Sequence, residues 1–407
     1  MAPTISPFPL SLQTGQDVKA NSLPTPTSAS NLTPPVTPVG RDSGESARSI
    51  PSPIHNAPSE KTVALLRRTV WTPLRFTDAV EISRDDEDRP IEFGRGAWSI
   101  VYKARSTPSA PTSAPHTPPS SPVAISRVYA VKAPLRRDAR PVLQAEALTL
   151  TRLHRTPGCE NYVVPFHGYH TDSEALVMSA VPLALSTFIE DQADLMRKRQ
   201  SSTATMFDPV QGPNSWRDLA RKLISGLAWL HHTAAIIHGD VKPHNLLLRP
   251  IPTDEPGTVA GAFPYEPLFA DFSSAVEIPF ESAASPDTTR ASMSAFTPPF
   301  TAPELLSLAS LKSGDVAPTP ASDVFSLAAT LLAAATGDLL LYPGSSNMQR
   351  LAMAREGHRI LEFTRSGNNG FRIPRNGFVE KLVQPAVAKD PAQRIDAQQW
   401  MAIASST

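Results

Sequence analysis

The stretch HGDVKPHNLLL, residues 238 to 248, holds Asp240, Lys242 and Asn245 close together around a proline and then runs into three leucines. Two readings fit it. Gly, Pro, Asp and Asn are turn formers, so an ordinary loop before a strand is one. The other is phosphoryl transfer: a carboxylate takes a hydroxyl proton, an ammonium offsets charge on the moving phosphate, and an amide oxygen helps to hold a metal ion. The loop alone leaves both open.

Upstream, IEFGRGAWSIVYKARS (91 to 106) places Gly94 and Gly96 between alternating apolar residues, which predicts strand, tight turn, strand. The two glycines would let backbone N–H groups approach a polyphosphate, and Val101 offers an apolar wall for a base. A structural turn reads as well. A dinucleotide-binding fold would put a helix after the glycines, whereas IVYKA is alternating and β-branched. Further on, RVYAVKAPL ends an apolar strand at Lys132. PVLQAEALTLTRLHR (141 to 155) predicts a helix with Leu143, Ala147, Leu150 and Leu153 on one stripe. Glu146 lies beside that stripe, where it can meet Lys132 and aim the lysine at phosphate oxygens.

Glycine turn, Lys132, Glu146 and the 238 to 248 loop, in this order, resemble the eukaryotic-type Ser/Thr protein kinases from about residue 87 to 405. The resemblance implies an α+β, two-lobed fold, with a small antiparallel-β lobe carrying one main helix and a larger, mostly helical lobe. It implies ATP and Mg2+ as cofactors and protein substrates as partners. Asp240 would be the base, Lys242 would stabilise the γ-phosphoryl group, and Asn245 with Asp271 of FADFSSA would hold magnesium. Thr297 would stand beside the catalytic aspartate, with Ala302, Pro303 and Glu304 ending the activation segment. Asp323 would brace the catalytic loop, and Arg394 would pair with Glu304. Nucleotide contacts would come from Phe93, Gly94, Arg95, Gly96, Ala97 and Val101 of the turn and from Lys132 and Glu146. Ala130 and Leu247 would sandwich the base, Met178 would guard the back of its pocket, and Ser179 and Ala180 would offer backbone groups. SWRDLARKLISGLAWLHHT predicts the long core helix, capped by Ser215, with Leu219, Leu223, Leu227 and Leu230 on one face. His238 is expected to brace the core.

Three positions depart from the family pattern. Ser99 replaces the third loop glycine, Gly239 the arginine before the catalytic aspartate, and Ser273 the glycine after Asp271-Phe272. None removes a group that touches a proton, a phosphate or a metal ion. Ser99 costs backbone freedom, and Ser273 is expected to restrict movement of Phe272. Gly239 takes away the cation that usually pairs with a phosphorylated activation segment. Two alternatives stay open: a pseudokinase scaffold without turnover, and a small-molecule kinase of the aminoglycoside or choline type. The latter usually spell the loop HGD but lack the Ala-Pro-Glu segment.

The bulk numbers narrow the setting. The 407 residues carry no formal net charge, so no global field draws the chain to nucleic acid or an acidic membrane. The single cysteine, Cys159, cannot form an intrachain disulfide, which favours a reducing compartment. Prolines stand where a signal peptide would need its apolar core. The longest uncharged apolar run, VFSLAATLLAAATG at 324 to 337, is shorter than the roughly 18–20 residues of a membrane span and reads as a buried helix. An intracellular protein, cytoplasmic or nuclear, without membrane insertion is expected. The 43 prolines cluster. Residues 1 to 60 are Pro/Ser/Thr-rich with too little apolar surface to order and read as a disordered tail; 61 to 86 lead into a small lobe at 87 to 178, and hinge and large lobe fill 179 to 405. A similar tract at 106 to 122 reads as an insertion, and PIPTDEPGTVAGAFPYEP (250 to 267) lengthens a later hairpin. Thr37, Ser52, Thr107 and Ser121 precede prolines, as acceptors of proline-directed kinases do, though plain low-complexity sequence accounts for them equally well.

Overall fold

The alternating residues after the glycine turn become the centre of an antiparallel sheet in the computed structural model, which describes residues 72–106, 127–198, 205–252, 261–278, 297–307 and 317–406. The tail, nearly all of the 106 to 122 insertion and the four proline-directed sites lie outside the described residues. Strands β1 (Val80–Ile82), β2 (Glu92–Arg95), β3 (Ser99–Ser106), β4 (Val128–Pro134), β5 (Phe166–His170) and β6 (Ala175–Ser179) form the small lobe. The order is β1-β3-β4-β6-β5, with β2 also on β3.

Strand alternation gives this sheet two faces. Phe76, Ala104, Tyr129, Val131, Ala175 and Val177 make a small apolar cluster on one. The other is set by register: Val101 lies opposite Lys132, and Ala130 opposite Met178. Sheet pairing also reaches into the 61 to 86 stretch expected as a lead-in. Val80 to Ile82 pair with Ser106 to Ala104, and Phe76 N–H donates to the Tyr169 carbonyl at 3.0 Å. A three-residue strand ahead of a charged turn carries too little alternation to be seen in sequence.

Helix α1 (Arg140–His154) buries Leu143, Ala147, Leu150 and Leu153. Beyond the sheet come α2 (Leu185–Lys198), α3 (Pro213–Ala228), the short β7 (Ile236–Ile237), the hairpin β8 (Leu246–Pro250) and β9 (Tyr265–Phe269), and β10 (Val276–Glu277), which pairs with β7. The large lobe continues through α4 (Pro320–Thr336), α5 (Asn347–Arg355), α6 (Ile360–Arg365), α7 (Phe378–Val383) and α8 (Ala397–Ser406).

Helix α3 does not begin at a Ser215 cap. Pro213 occupies its first turn and Gly212 its N-cap, at φ 87°. Proline has no N–H to satisfy there and its φ suits a helix start, so the helix opens earlier than a serine cap implies. Leu219, Leu223, Leu227 and Leu230 are fully buried. Helix α4 is buried almost throughout and opens with a Thr319–Ser322 capping box. Trp216 Nε1–H ties α3 to it by donating to the Leu331 carbonyl at 3.0 Å. Among the described residues no helix is long and apolar enough to cross a membrane. The lengthened connection between β8 and β9 returns into the core: Phe263 is buried, and Lys222 Nζ donates to the Tyr265 carbonyl at 3.0 Å while pairing with Glu266 at 3.1 Å.

Candidate active site

Cross-strand pairs put Val101, Ala130, Lys132 and Met178 on the same face of the sheet. Above them the glycine turn closes with Gly96 N–H donating to the Ser99 carbonyl at 2.8 Å. Gly94 has no atom within 4 Å of where a Cβ would stand, and the nearest to that of Gly96 is Ser99 O at 3.8 Å. Side chains there would fill open space, so the glycines keep clear a backbone-lined cradle of the kind a polyphosphate needs. Phe93 and Ala97 are exposed, and the Arg95 guanidinium is bound to Glu92 at 2.8 Å on the surface. Leu247 of β8 is half-buried and bridged to Ala184.

The backbone N–H groups of Ser179 and Ala180 differ in their engagement. Ser179 N–H donates to the Pro165 carbonyl at 2.9 Å, because the strand continues through that residue. Ala180 N–H makes only a long 3.5 Å contact with the Val128 carbonyl.

Lys132 joins the lobes. Its Nζ donates to both Glu146 carboxylate oxygens at 2.8 and 2.7 Å and to Asp271 Oδ1 at 2.8 Å. Burial alone would make the lysine easier to deprotonate, but Asp271 and Glu146 outweigh it and hold its pKa above the ordinary lysine value. Burial likewise works to raise Asp271. The Lys132 charge and the hydrogen bonds from Lys132 and the Ser273 hydroxyl prevail, holding it far below the usual carboxylate range. Asp271 is thus a fixed anion.

Two of these contacts have no signal in the sequence. Glu146 Oε1 also accepts the Phe272 N–H at 3.1 Å, which fastens α1 to the residue after Asp271. Ser273, where the family keeps glycine, donates its hydroxyl to Asp271 Oδ1 at 2.7 Å. Asp271 has a left-handed backbone, φ 61° and ψ 74°, a conformation costing a non-glycine residue about 1–2 kcal/mol. The bonds that its carboxylate accepts from Lys132 and Ser273, and the bond that the Phe272 N–H donates to Glu146, hold it in that conformation. Phe272 is buried with its ring 4.8 Å from that of His238.

The loop that carries Asp240 is equally tied down. Asp240 Oδ2 accepts from Lys242 Nζ at 2.7 Å and from Asn245 Nδ2 at 3.0 Å, and neither partner uses Oδ1. Lys242 also reaches Thr297 Oγ1 at 3.3 Å. Burial raises Asp240 above the ordinary carboxylate value against the opposing pull of Lys242. Asn245 is linked to the strand before Asp271 by Ala270 N–H donating to its carbonyl at 2.9 Å.

His238 Nε2 lies 3.0 Å from the Ala270 carbonyl and Nδ1 accepts from Asp240 N–H at 3.3 Å. A carbonyl only accepts, so the proton sits on Nε2 and both nitrogens are engaged in bracing. Asp323 takes the His238 and Gly239 N–H groups at 2.7 and 2.9 Å and the His231 ring at 3.0 Å. Arg394 grips Glu304 through two bonds of 2.8 and 2.7 Å.

Gly239 is more than an absent arginine. Its φ is +79°, and a Cβ there would stand 2.4 Å from the Ser274 carbonyl oxygen. The segment after Asp271 packs onto the loop backbone where a side chain would be.

Asn245 spends its Nδ2–H on Asp240, which leaves its amide oxygen, with the Asp271 carboxylate, as hard oxygen ligands. One carboxylate, one amide oxygen and substrate phosphates are a donor set that suits magnesium. The residues fit the ion.

A two-lobed sheet-and-helix fold with a lysine–carboxylate bridge above an Asp-Lys-Asn loop defines a phosphotransferase of the kinase architecture. The chain belongs to the protein kinase family: the protein kinase domain matches residues 123–404. That match begins downstream of the glycine turn, which the β3–β4 pairing nevertheless builds into the same lobe. The chain is 39% identical over 130 residues to serine/threonine-protein kinase PknK of Mycobacterium tuberculosis, covering 31% of this chain and 9% of that protein. It is 29% identical over 194 residues to serine/threonine-protein kinase atg1 of Aspergillus niger, covering 46% of this chain and 18% of that protein. The aligned region thus spans less than a fifth of either relative. Family membership implies use of ATP and a divalent metal.

Proposed function

We propose that this chain is an active kinase that transfers the γ-phosphoryl group of ATP, with Mg2+, to serine and threonine hydroxyls of proteins. The observation that carries the reading is the joint assembly of Glu146–Lys132–Asp271 and Asp240–Lys242–Thr297 in one conformation. In this reading the substrate hydroxyl lies at Asp240 Oδ1, which takes its proton as the oxygen attacks the γ-phosphorus. The bond from that phosphorus to the bridging oxygen breaks, and ADP leaves with the electron pair. Lys242 offsets charge on the transferring group, and Lys132 aligns the other phosphates. Asn245 and Asp271 would hold the magnesium ion, which would supply neutralisation of phosphate charge.

Thr297 beside Lys242 supports hydroxyl acceptors on Ser/Thr side chains. The intact lysine bridge and loop favour turnover over a scaffold role, and the Ala302-Pro303-Glu304 segment anchored by Arg394 favours protein over small-molecule acceptors. A lone, buried Cys159 supports residence in a reducing compartment, cytoplasmic or nuclear. The test is incubation of purified protein with labelled ATP, Mg2+ and generic protein acceptors, beside an Asp240→Asn control. Label on Ser/Thr in the wild type alone supports the reading; equal label in both proteins, or none with nucleotide binding retained, replaces it with the scaffold.

A further inference from the structure

Arg152, in the last turn of α1, is a buried cation that the catalytic chemistry leaves unused. Its residue is 4% exposed. One guanidinium nitrogen donates to the Ala234 carbonyl at 3.0 Å, and the other meets Glu277 Oε2 at 2.7 Å. Glu277 closes β10, opposite Ile236 of β7. The same helix carries Glu146, which accepts the Phe272 N–H and holds Lys132.

These contacts fasten α1 to the segment 272–277 at both of its ends. From Glu146 to Arg152 the helix advances by about 9 Å, alongside a segment whose other face lies on Gly239. A buried guanidinium needs an anionic partner, and the partner here is a carboxylate written into the chain. Position 239 has neither a side chain nor room for one.

We infer that Glu277 is a positioning residue for phosphoryl transfer: through Arg152 its fixed negative charge holds α1 where Glu146 meets Lys132. The link is permanent, so the helix position needs no added phosphate. This rests on the kinase reading above and extends it to control of the same site.

The experiment compares Glu277→Gln, Glu277→Ala and Glu277→Lys in the full chain, with Glu362→Ala as a control at another exposed ion pair, that with Arg359. The Glu277 side chain is 66% exposed, so replacements there disturb little packing, and Glu277→Gln keeps an acceptor for the buried Arg152; melting curves verify that each variant folds. Two readouts are taken: kcat/KM for ATP, and hydrogen exchange of α1 and residues 271–278. The expected order of loss is Gln, then Ala, then Lys, with the lysine variant down about tenfold in kcat/KM, the size of a typical coupling between sites. Exchange should quicken in both segments, with Glu362→Ala unchanged. An active wild type whose Glu277→Lys variant matches it in both readouts overturns the inference. So does faster exchange with unchanged kinetics, which would make the pair merely structural. If the wild type does not turn over, the kinase reading fails by itself, and exchange in α1 still decides whether Glu277 holds the helix: quickened exchange retains that link, unchanged exchange removes it.

Discussion

Replacing Gly239 by alanine should damage both stability and rate. At φ +79° any L-side chain costs about 1–2 kcal/mol. The added Cβ would also stand 2.4 Å from the Ser274 carbonyl oxygen, a backbone atom that moves only if the segment moves. Forced repacking of that kind typically costs about 1–3 kcal/mol. Together these give roughly 2–5 kcal/mol, or about 3–7 °C in Tm for a domain of this size. The movement displaces either Asp240, next in the chain, or the Ser274 end of the Asp271 segment. A misplacement of about 1 Å in such a site costs on the order of a hundredfold in kcat. Calorimetry and initial-rate assays on Gly239→Ala measure both effects. Gly239→Arg should behave no better and should not make activity depend on phosphorylation. An alanine variant within about 2 °C and threefold of wild type would refute the claim that the segment packs on this backbone.

Lys132→Met and Asp271→Asn should each abolish transfer while leaving the fold intact by circular dichroism, since positioning and charge neutralisation supply nearly all of the catalysis. Phosphatase-treated protein of verified mass should show initial rates within a few-fold of untreated enzyme, because position 239 contributes no cation to a phosphate pocket; a tenfold loss restored by rephosphorylation would contradict this. Burial pushes the Cys159 thiol up from 9.0 to about 12, so alkylation by iodoacetamide at pH 8 should be slow in the native state and fast in denaturant. The raised value means that its contribution to stability is present below about pH 9 and is lost as pH rises through 12; Cys159→Ala should lack that component in alkaline melts.

Much of the site is legible because its chemistry sits in side chains at fixed strand and loop positions. Lys132 follows an alternating strand and Glu146 a helical stripe, so their meeting can be read before any coordinates. The contacts that set the geometry of Asp271 are different in kind. The Phe272 N–H, the Ser274 carbonyl and the Ala234 carbonyl are backbone groups, identical at every residue, and leave no mark in composition or spacing. The Arg152–Glu277 pair joins residues far apart in the chain, and neither stands out among the other charges. At Ser215 a local capping rule pointed to the wrong residue because Pro213 opens the helix first. The short β1 escaped because its three residues are too few to show a period.

Asp323 has a consequence for how the molecule breathes. One carboxylate at the buried start of α4 accepts the amides of His238 and Gly239 and touches the His231 ring behind them. Releasing this loop would leave the Asp323 carboxylate, inside the large lobe, with the His231 ring as its remaining partner, so opening of the loop is coupled to the packing around the start of α4. These bonds tie the backbone that carries Asp240 to the buried interior of the large lobe. The glycine turn, by contrast, has open space around Gly94. Local opening is therefore expected to cost more at the Asp240 loop than at the glycine turn, which hydrogen exchange would read as faster amide exchange in the turn.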